Sequence, residues 1–207
     1  MSPRPSRSPR PARSPRPAAT TSRDAADALT FPVAGLLAEP PGTVREDAIA
    51  PVWVDAGEET ALAEPVAGTL RLARTNRGLL VDAELHTALA TECSRCLRDI
   101  VVPLDLRIEE EALPSVELAT GLPVDTAIEP DVVRLSDAHE LELLPLVREA
   151  IWLAQPIAPV CRDDCPGLCA ECGRPLDEGE HDHGPPEIDP RFEALRGFTV
   201  DGDADPE

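Results

Sequence analysis

The chain has 207 residues, and its 39 acidic and 19 basic residues give a formal net charge of −20. Two Trp, three Phe and no Tyr argue against an aromatic platform for stacking nucleic-acid bases. No apolar run approaches the ~20 residues that a membrane-spanning helix needs, so we expect no membrane partner. Six cysteines without a secretory signal sequence predict a protein of the reducing cytoplasm.

Residues 1–28 are predicted to form a disordered arm rich in Arg and Pro, because proline blocks helices and few apolar side chains are present. Residues 1–23 hold six of the 19 basic residues and no acid. The rest of the chain therefore has 13 basic against 39 acidic residues, a net charge of −26. The arm is a candidate contact for nucleic-acid phosphates; an unselected linker and an organelle transit peptide are the alternatives.

Residues 29–155 are predicted to form a sheet domain. Apolar and polar side chains alternate in three consecutive segments, 66–73, 81–89 and 100–108, which are joined by short connections. A period of two places one face of each strand in a core and the other in water. We therefore predict an α+β fold built on an antiparallel β-meander or small barrel-like sheet, with a few short helices.

A helix is predicted over residues 145–154. Pro145 suits the first helical position, where its missing amide leaves no hydrogen bond unmade. Leu146, Val147 and Ile151 form an apolar stripe along one side of this helix. Prolines at 156 and 159 then end it.

Residues 156–198 are predicted to form a metal-binding segment with a zinc knuckle and a closing helix, packed on the sheet domain. Residues 199–207 form an acidic tail. Four cysteines lie within a dozen residues and two histidines follow, a density that favours Zn²⁺ over disulfides or buried thiols. With an earlier Cys-x-x-Cys pair, the candidate ligands are Cys93, Cys96, Cys161, Cys165, Cys169, Cys172, His181 and His183.

The spacing leaves two arrangements open for one or two zinc ions. In the first, one ion binds Cys169, Cys172, His181 and His183, and a second joins Cys93 and Cys96 to Cys161 and Cys165. In the second, one ion binds Cys161, Cys165, Cys169 and Cys172, and the histidines are free. Either is a closed site that stabilises a fold without activating a nucleophile. For Cys93 and Cys96, alternation predicts buried sulfurs, and structural thiols are the alternative to a metal role.

Several motifs together identify a family resemblance. They are Pro-Gly-Thr-Val-Arg-Glu at 41–46, Cys-Ser-Arg-Cys-Leu at 93–97, Leu-Leu-Pro-Leu-Val-Arg-Glu at 143–149, Gly-Leu-Cys-x-x-Cys-Gly at 167–173 and Ile-Asp-Pro-Arg-Phe at 188–192. From Phe31 to Leu195 the chain resembles the YceD family, the large ribosomal RNA subunit accumulation proteins. It departs from the family in carrying His181-Asp182-His183 in place of a usual Cys-x-Cys, and Asp177 where Asn is common.

The resemblance implies a non-enzymatic role in synthesis, processing or stability of large-subunit ribosomal RNA. Its partners would be the ribosomal RNA precursor or ribosomal proteins, with no small-molecule substrate. No Gly-rich phosphate loop, His-Glu-x-x-His or Gly-x-Ser-x-Gly motif is present, so no catalytic residue is predicted. The alternative from another class is a thiol redox or zinc-release switch that uses the Cys-x-x-Cys pairs.

Overall fold

A computed structural model describes residues 22–57, 60–124, 132–179, 183 and 191–192. In chain order its helices and strands are α1 (Ser22–Ala28), β1 (Thr30–Pro32), α2 (Ala34–Ala38), β2 (Val44–Val52), β3 (Ala61–Arg74), β4 (Leu79–Glu92), β5 (Asp99–Leu113), β6 (Val133–Arg134), β7 (Glu140–Glu142) and α3 (Leu144–Ala154). In this described part of the chain, no helix is both long and apolar enough to cross a membrane.

The main sheet has five strands in the order β2-β3-β4-β5-β6. Consecutive strands from β2 to β5 pair antiparallel, so they form the predicted meander, and short β6 adds to β5 in parallel. The sheet is open, because its edge strands β2 and β6 each pair with one neighbour among the described residues. The α+β class and the antiparallel meander are thus confirmed, and the sheet of the described residues is open rather than barrel-like.

The core lies on the face of the sheet that the alternating apolar residues share. Leu70, Leu72 and Val81 are fully buried there. Helix α3 packs against β5 and buries Val147 and Ile151 in the same core. The helix begins one residue before the predicted start and ends where predicted, at Ala154. Its position determines where the following cysteine segment returns to the sheet.

The N-terminal part of the domain differs from the sequence prediction. Residues 22–28 are helical as α1, so the predicted disordered arm ends earlier than residue 28. Ala25 and Leu29, four residues apart, are both buried, because they lie on the same face of this turn of chain and pack on the core. The amide of Leu143 donates to the carbonyl of Leu29 at 2.9 Å and ties this region to the start of α3.

Three other predicted regions lie wholly or largely outside the described residues. The Arg-rich part of the arm precedes residue 22, and the acidic tail 199–207 lies beyond the last described residue. Of the closing helix after Pro190, the structure describes Arg191 and Phe192.

Candidate metal centre

The tight turn between β4 and β5 carries the first cysteine pair. The amide of Cys93 donates to the carbonyl of Arg98 at 2.8 Å, and the amide of Leu97 donates to the carbonyl of Cys93 at 2.9 Å. Leu97 adopts a positive φ of 56°, which reverses the chain after Cys96. Both cysteines are buried, as the alternating pattern predicts: Cys93 is 0 % and Cys96 is 5 % exposed.

The segment after α3 returns to this turn. The amide of Ser94 donates to the carbonyl of Pro159 at 2.7 Å. Two residues later, the amide of Cys161 donates to Sγ of Cys93 at 3.3 Å. These contacts bring a cysteine pair that is distant in sequence against the first pair, in a small buried cluster separate from the main core.

Four sulfur atoms meet where the two segments touch. The Sγ atoms of Cys93, Cys96, Cys161 and Cys165 all lie within 4.8 Å of one another. We call this the four-cysteine cluster. Sγ of Cys93 is 3.9 Å from that of Cys165, and Sγ of Cys96 is 3.8 Å from that of Cys161. A disulfide would need about 2.05 Å, and all six cysteines of the chain are free thiols.

A second group of donor atoms forms at the next turn. Sulfur atoms of Cys169 and Cys172 and a ring nitrogen of His183 lie within 4.8 Å of one another, and we call them the Cys/His cluster. The amide of Gly173 donates to the carbonyl of Cys169 at 2.9 Å. Gly173 has a φ of 70°, in the left-handed region that glycine adopts without strain, so it closes the Cys-x-x-Cys turn as a knuckle does.

The histidine of this cluster is oriented by an acidic side chain. Nε2 of His183 lies 3.1 Å from Sγ of Cys169. Its other ring nitrogen, Nδ1, lies 3.3 Å from Oε2 of Glu171. A carboxylate on one ring nitrogen leaves the other free to bind a metal, which is the usual outer-shell arrangement at histidine-ligated sites.

Thiol ionisation differs sharply inside the four-cysteine cluster. The amide of Cys96 donates to Cys93 and lowers the pKa of Cys93 to about 6. Burial, reinforced by the neighbouring thiols, raises the pKa of Cys161 to about 12. In the Cys/His cluster, amides of Cys172 and Glu171 lower the pKa of Cys169 to about 7. Crowded thiolates therefore need a cation before all can ionise, and this donor set could hold a metal ion.

Arginine side chains surround the four-cysteine cluster. Arg95 donates to the backbone carbonyls of Asp163 and Cys165 at 3.0 and 3.1 Å, which holds the second cysteine loop against the first. One guanidinium nitrogen of Arg98, Nη2, donates to both carboxylate oxygens of Asp177, at 2.7 and 2.9 Å. The hydrogen bond from Arg98 is the main reason that the pKa of Asp177 lies below its usual value.

The structure brings seven of the eight predicted ligands into two groups. Cys161 and Cys165 meet the earlier pair 93/96 and are not grouped with the pair 169/172, in contrast to the single compact four-cysteine arrangement. His183 joins the pair 169/172, and His181 lies outside the described residues.

Sequence reasoning missed the residues that support these donors. Glu171 orients His183, and Arg98 pairs with Asp177. The sequence offers one indication of these roles, which is that both residues lie close to candidate ligands. Glu171 lies between the two cysteines of the knuckle, and Arg98 follows Cys96 by two residues. Their partners lie 12 and 79 residues away in the chain, respectively, so spacing alone does not identify them.

The sequence of this chain matches a known protein family. The sequence pattern of the family described as "Large ribosomal RNA subunit accumulation protein YceD" matches residues 81–199, more than half of the chain and a range that includes every candidate ligand. An uncharacterized protein of Mycobacterium tuberculosis is 33% identical over 126 residues, 61% of this chain and 58% of its own length. A Mycobacterium bovis protein matches to the same extent.

A longer match is found in an uncharacterized protein of Mycobacterium leprae. It is 29% identical over 188 residues, which cover 85% of this chain and 80% of that protein. No solved structure matches the chain. The chain belongs to the YceD family of large ribosomal RNA subunit accumulation proteins.

Proposed function

We propose that this protein is a non-enzymatic factor of ribosome biogenesis that supports accumulation of large-subunit ribosomal RNA, with structural zinc in its two clusters. Membership of the YceD family supports the ribosomal role. The observation that carries the zinc role is the convergence of the four sulfurs in the four-cysteine cluster, from two segments about 65 residues apart.

The sulfur distances favour zinc in the four-cysteine cluster. A tetrahedral site with Zn–S bonds of about 2.3 Å has sulfur–sulfur edges of roughly 3.8 Å. Two of the six Sγ–Sγ distances in this cluster are 3.8 and 3.9 Å, and all six are within 4.8 Å. Four thiolates would fill the coordination sphere of the ion and leave no position for water or substrate. Zinc here would therefore join the turn after β4 to the segment after α3, without a catalytic role.

The Cys/His cluster would take a second ion. Cys169, Cys172 and Nε2 of His183 supply three donors. Tetrahedral zinc requires a fourth, and we assign it to His181, the remaining histidine of the His-Asp-His motif. The donors would then be two thiolates and two imidazoles, a set common in structural zinc sites.

The charge of the body favours a protein partner on the ribosomal particle. Outside residues 1–23, the chain carries 13 basic and 39 acidic residues, so its surface repels phosphates and attracts basic proteins. A basic ribosomal protein is therefore the partner we favour. The Arg-rich arm would supply any direct contact with ribosomal RNA, in a salt-dependent manner.

Two measurements test this function. Protein purified under reducing conditions should contain two zinc ions, and Cys93→Ser should lose one of them while Ser94→Ala, in the same turn, keeps both. Cross-linking in cells should recover large-subunit ribosomal proteins or their RNA precursor with the wild type. Protein that contains no zinc would contradict the metal assignment, and cross-links to neither ribosomal protein nor ribosomal RNA would contradict the ribosomal one. Zinc loss on mild oxidation, with disulfide formation, would instead favour a redox switch.

A further inference from the structure

An ion-paired aspartate connects the two clusters. Asp177 follows the knuckle of the Cys/His cluster, and its carboxylate accepts from Arg98 at 2.7 and 2.9 Å and from Arg162 at 3.2 Å. Arg98 is two residues from Cys96, and Arg162 is next to Cys161, so both arginines adjoin ligands of the four-cysteine cluster. We propose that this Asp177 bridge couples the two metal sites, so that zinc in the four-cysteine cluster strengthens zinc binding in the Cys/His cluster.

The first step of the argument is the position of the arginines. Zinc in the four-cysteine cluster would fix the backbone at Cys96 and Cys161, and therefore also at Arg98 and Arg162. Two guanidinium groups would then be held at the place where the carboxylate of Asp177 is bound. A partner that is already ordered loses less conformational entropy when it binds, so the ion pairs form at lower cost.

The second step is the attachment of Asp177 to the knuckle. Leu168 and Pro175 form a β-bridge, and the amide of Leu176 donates to the carbonyl of Gly167 at 2.9 Å. These contacts close the hairpin whose tip carries Cys169 and Cys172. Holding Asp177 therefore holds the base of the hairpin that presents both thiolates of the Cys/His cluster.

The charges at the four-cysteine cluster also favour the proposed coupling. Four thiolates and one Zn²⁺ carry a net charge of −2, and Arg98 and Arg162 are attracted to it. A charge-assisted hydrogen bond between a guanidinium and a carboxylate is stronger than a neutral hydrogen bond. The bridge thus joins an anionic metal site to the hairpin of the next one through two cations.

The coupling rests on the zinc occupancy proposed above, and it is tested by Co²⁺ and Zn²⁺ titration of the full chain. The d–d absorption of Co²⁺ distinguishes a four-thiolate site from one with two thiolates and imidazole. We expect Asp177→Ala to weaken binding in the Cys/His cluster by about 10-fold when the four-cysteine cluster is filled, within the usual range of coupling between sites. The affinity of the four-cysteine cluster, measured while the Cys/His cluster is empty, should not change. The matched control is Glu178→Ala, which removes an equal charge one position away.

A double-mutant cycle isolates the coupling from simple destabilisation. Cys161→Ser, which removes a ligand of the first site, should weaken the second site by a similar factor, and Asp177→Ala should add little in that background. The isosteric Asp177→Asn serves if the alanine variant does not fold. Zinc affinities of Asp177→Ala equal to those of the control would overturn the coupling alone. So would a four-cysteine cluster that is weakened while the Cys/His cluster is empty, because that loss does not involve the second site. Wild-type protein that binds no zinc would overturn the zinc proposal and the coupling with it.

Discussion

The central sheet and the segment 159–179 are stabilised in different ways. Strand β4 pairs with β3 on one side and β5 on the other along most of its length, and its core-facing side chains, such as Val81 and Ala83, are fully buried. In the segment 159–179, the described β-structure is a single bridge between Leu168 and Pro175. Its buried side chains are those of Cys165 and Cys169.

This difference indicates which of the two regions would depend on a metal for its stability. The sheet has a hydrophobic core and a ladder of backbone hydrogen bonds, which together stabilise a domain without a ligand. The segment 159–179 has too little apolar surface to order itself, and short chains of this kind depend on metals or disulfides. We therefore expect the two regions to respond differently to metal removal and to mutation.

The largest effect is expected on zinc removal. In zinc-loaded protein, a chelator should disorder the segment 159–179 while the sheet remains folded, since structural zinc contributes about 10–16 kcal/mol to small metal-binding folds. Hydrogen exchange followed by mass spectrometry should show lost protection at the amides of Cys169 and Gly173, and retained protection in β4. Equal loss of protection in both regions, or none in either, would contradict the comparison.

Leu70→Ala should destabilise the sheet domain without affecting zinc binding. Leu70 is 0 % exposed in the sheet core, and truncation there should cost about 2–5 kcal/mol through lost burial and a cavity. Denaturant unfolding measures this cost, and the zinc content at native conditions should not change. Leu80→Ala is the control, because Leu80 is 42 % exposed and its truncation should cost within about 0.5 kcal/mol. Equal costs for the two variants would argue against the described core.

Glu171→Gln should weaken metal binding in the Cys/His cluster alone. Loss of the carboxylate that faces Nδ1 of His183 should reduce zinc affinity about 10–100-fold, as outer-shell changes do at other sites. Competition with a chelating dye measures the affinity, and Glu178→Gln in the same hairpin is the control. An unchanged affinity would mean that His183 is not oriented by this contact, and a loss at the four-cysteine cluster would point to a general effect.

The smallest effect is expected at the knuckle glycine. Gly173→Ala should destabilise the Cys-x-x-Cys turn by about 1 kcal/mol, because an L side chain is strained at a φ of 70° even though open space surrounds this position. Zinc affinity of the Cys/His cluster reports this loss. Gly35→Ala serves as the comparison, since Gly35 lies in α2 without a left-handed φ and with open space around it.

Local patterns in the sequence are sufficient to predict much of the secondary structure and the pairing of nearby metal ligands. Period-two alternation identifies the strands β3 to β5, and the proline followed by an apolar stripe identifies α3 to within one residue. The Cys-x-x-Cys spacing shows that 93 and 96, and 169 and 172, can share an ion. These features are readable because each depends on residues close together in sequence.

Long-range arrangement was decided only by the tertiary structure. Helix α1 and strand β2 carry weak local patterns and are ordered by packing and pairing with distant segments. Cys93 and Cys96 meet Cys161 and Cys165 because α3 packs on β5 and directs the following chain back to the turn after β4. The ion pair between Arg98 and Asp177 follows from the same return. Spacing in the sequence specifies which two donors form a pair. The packing of the core determines which of these pairs come together in the folded protein.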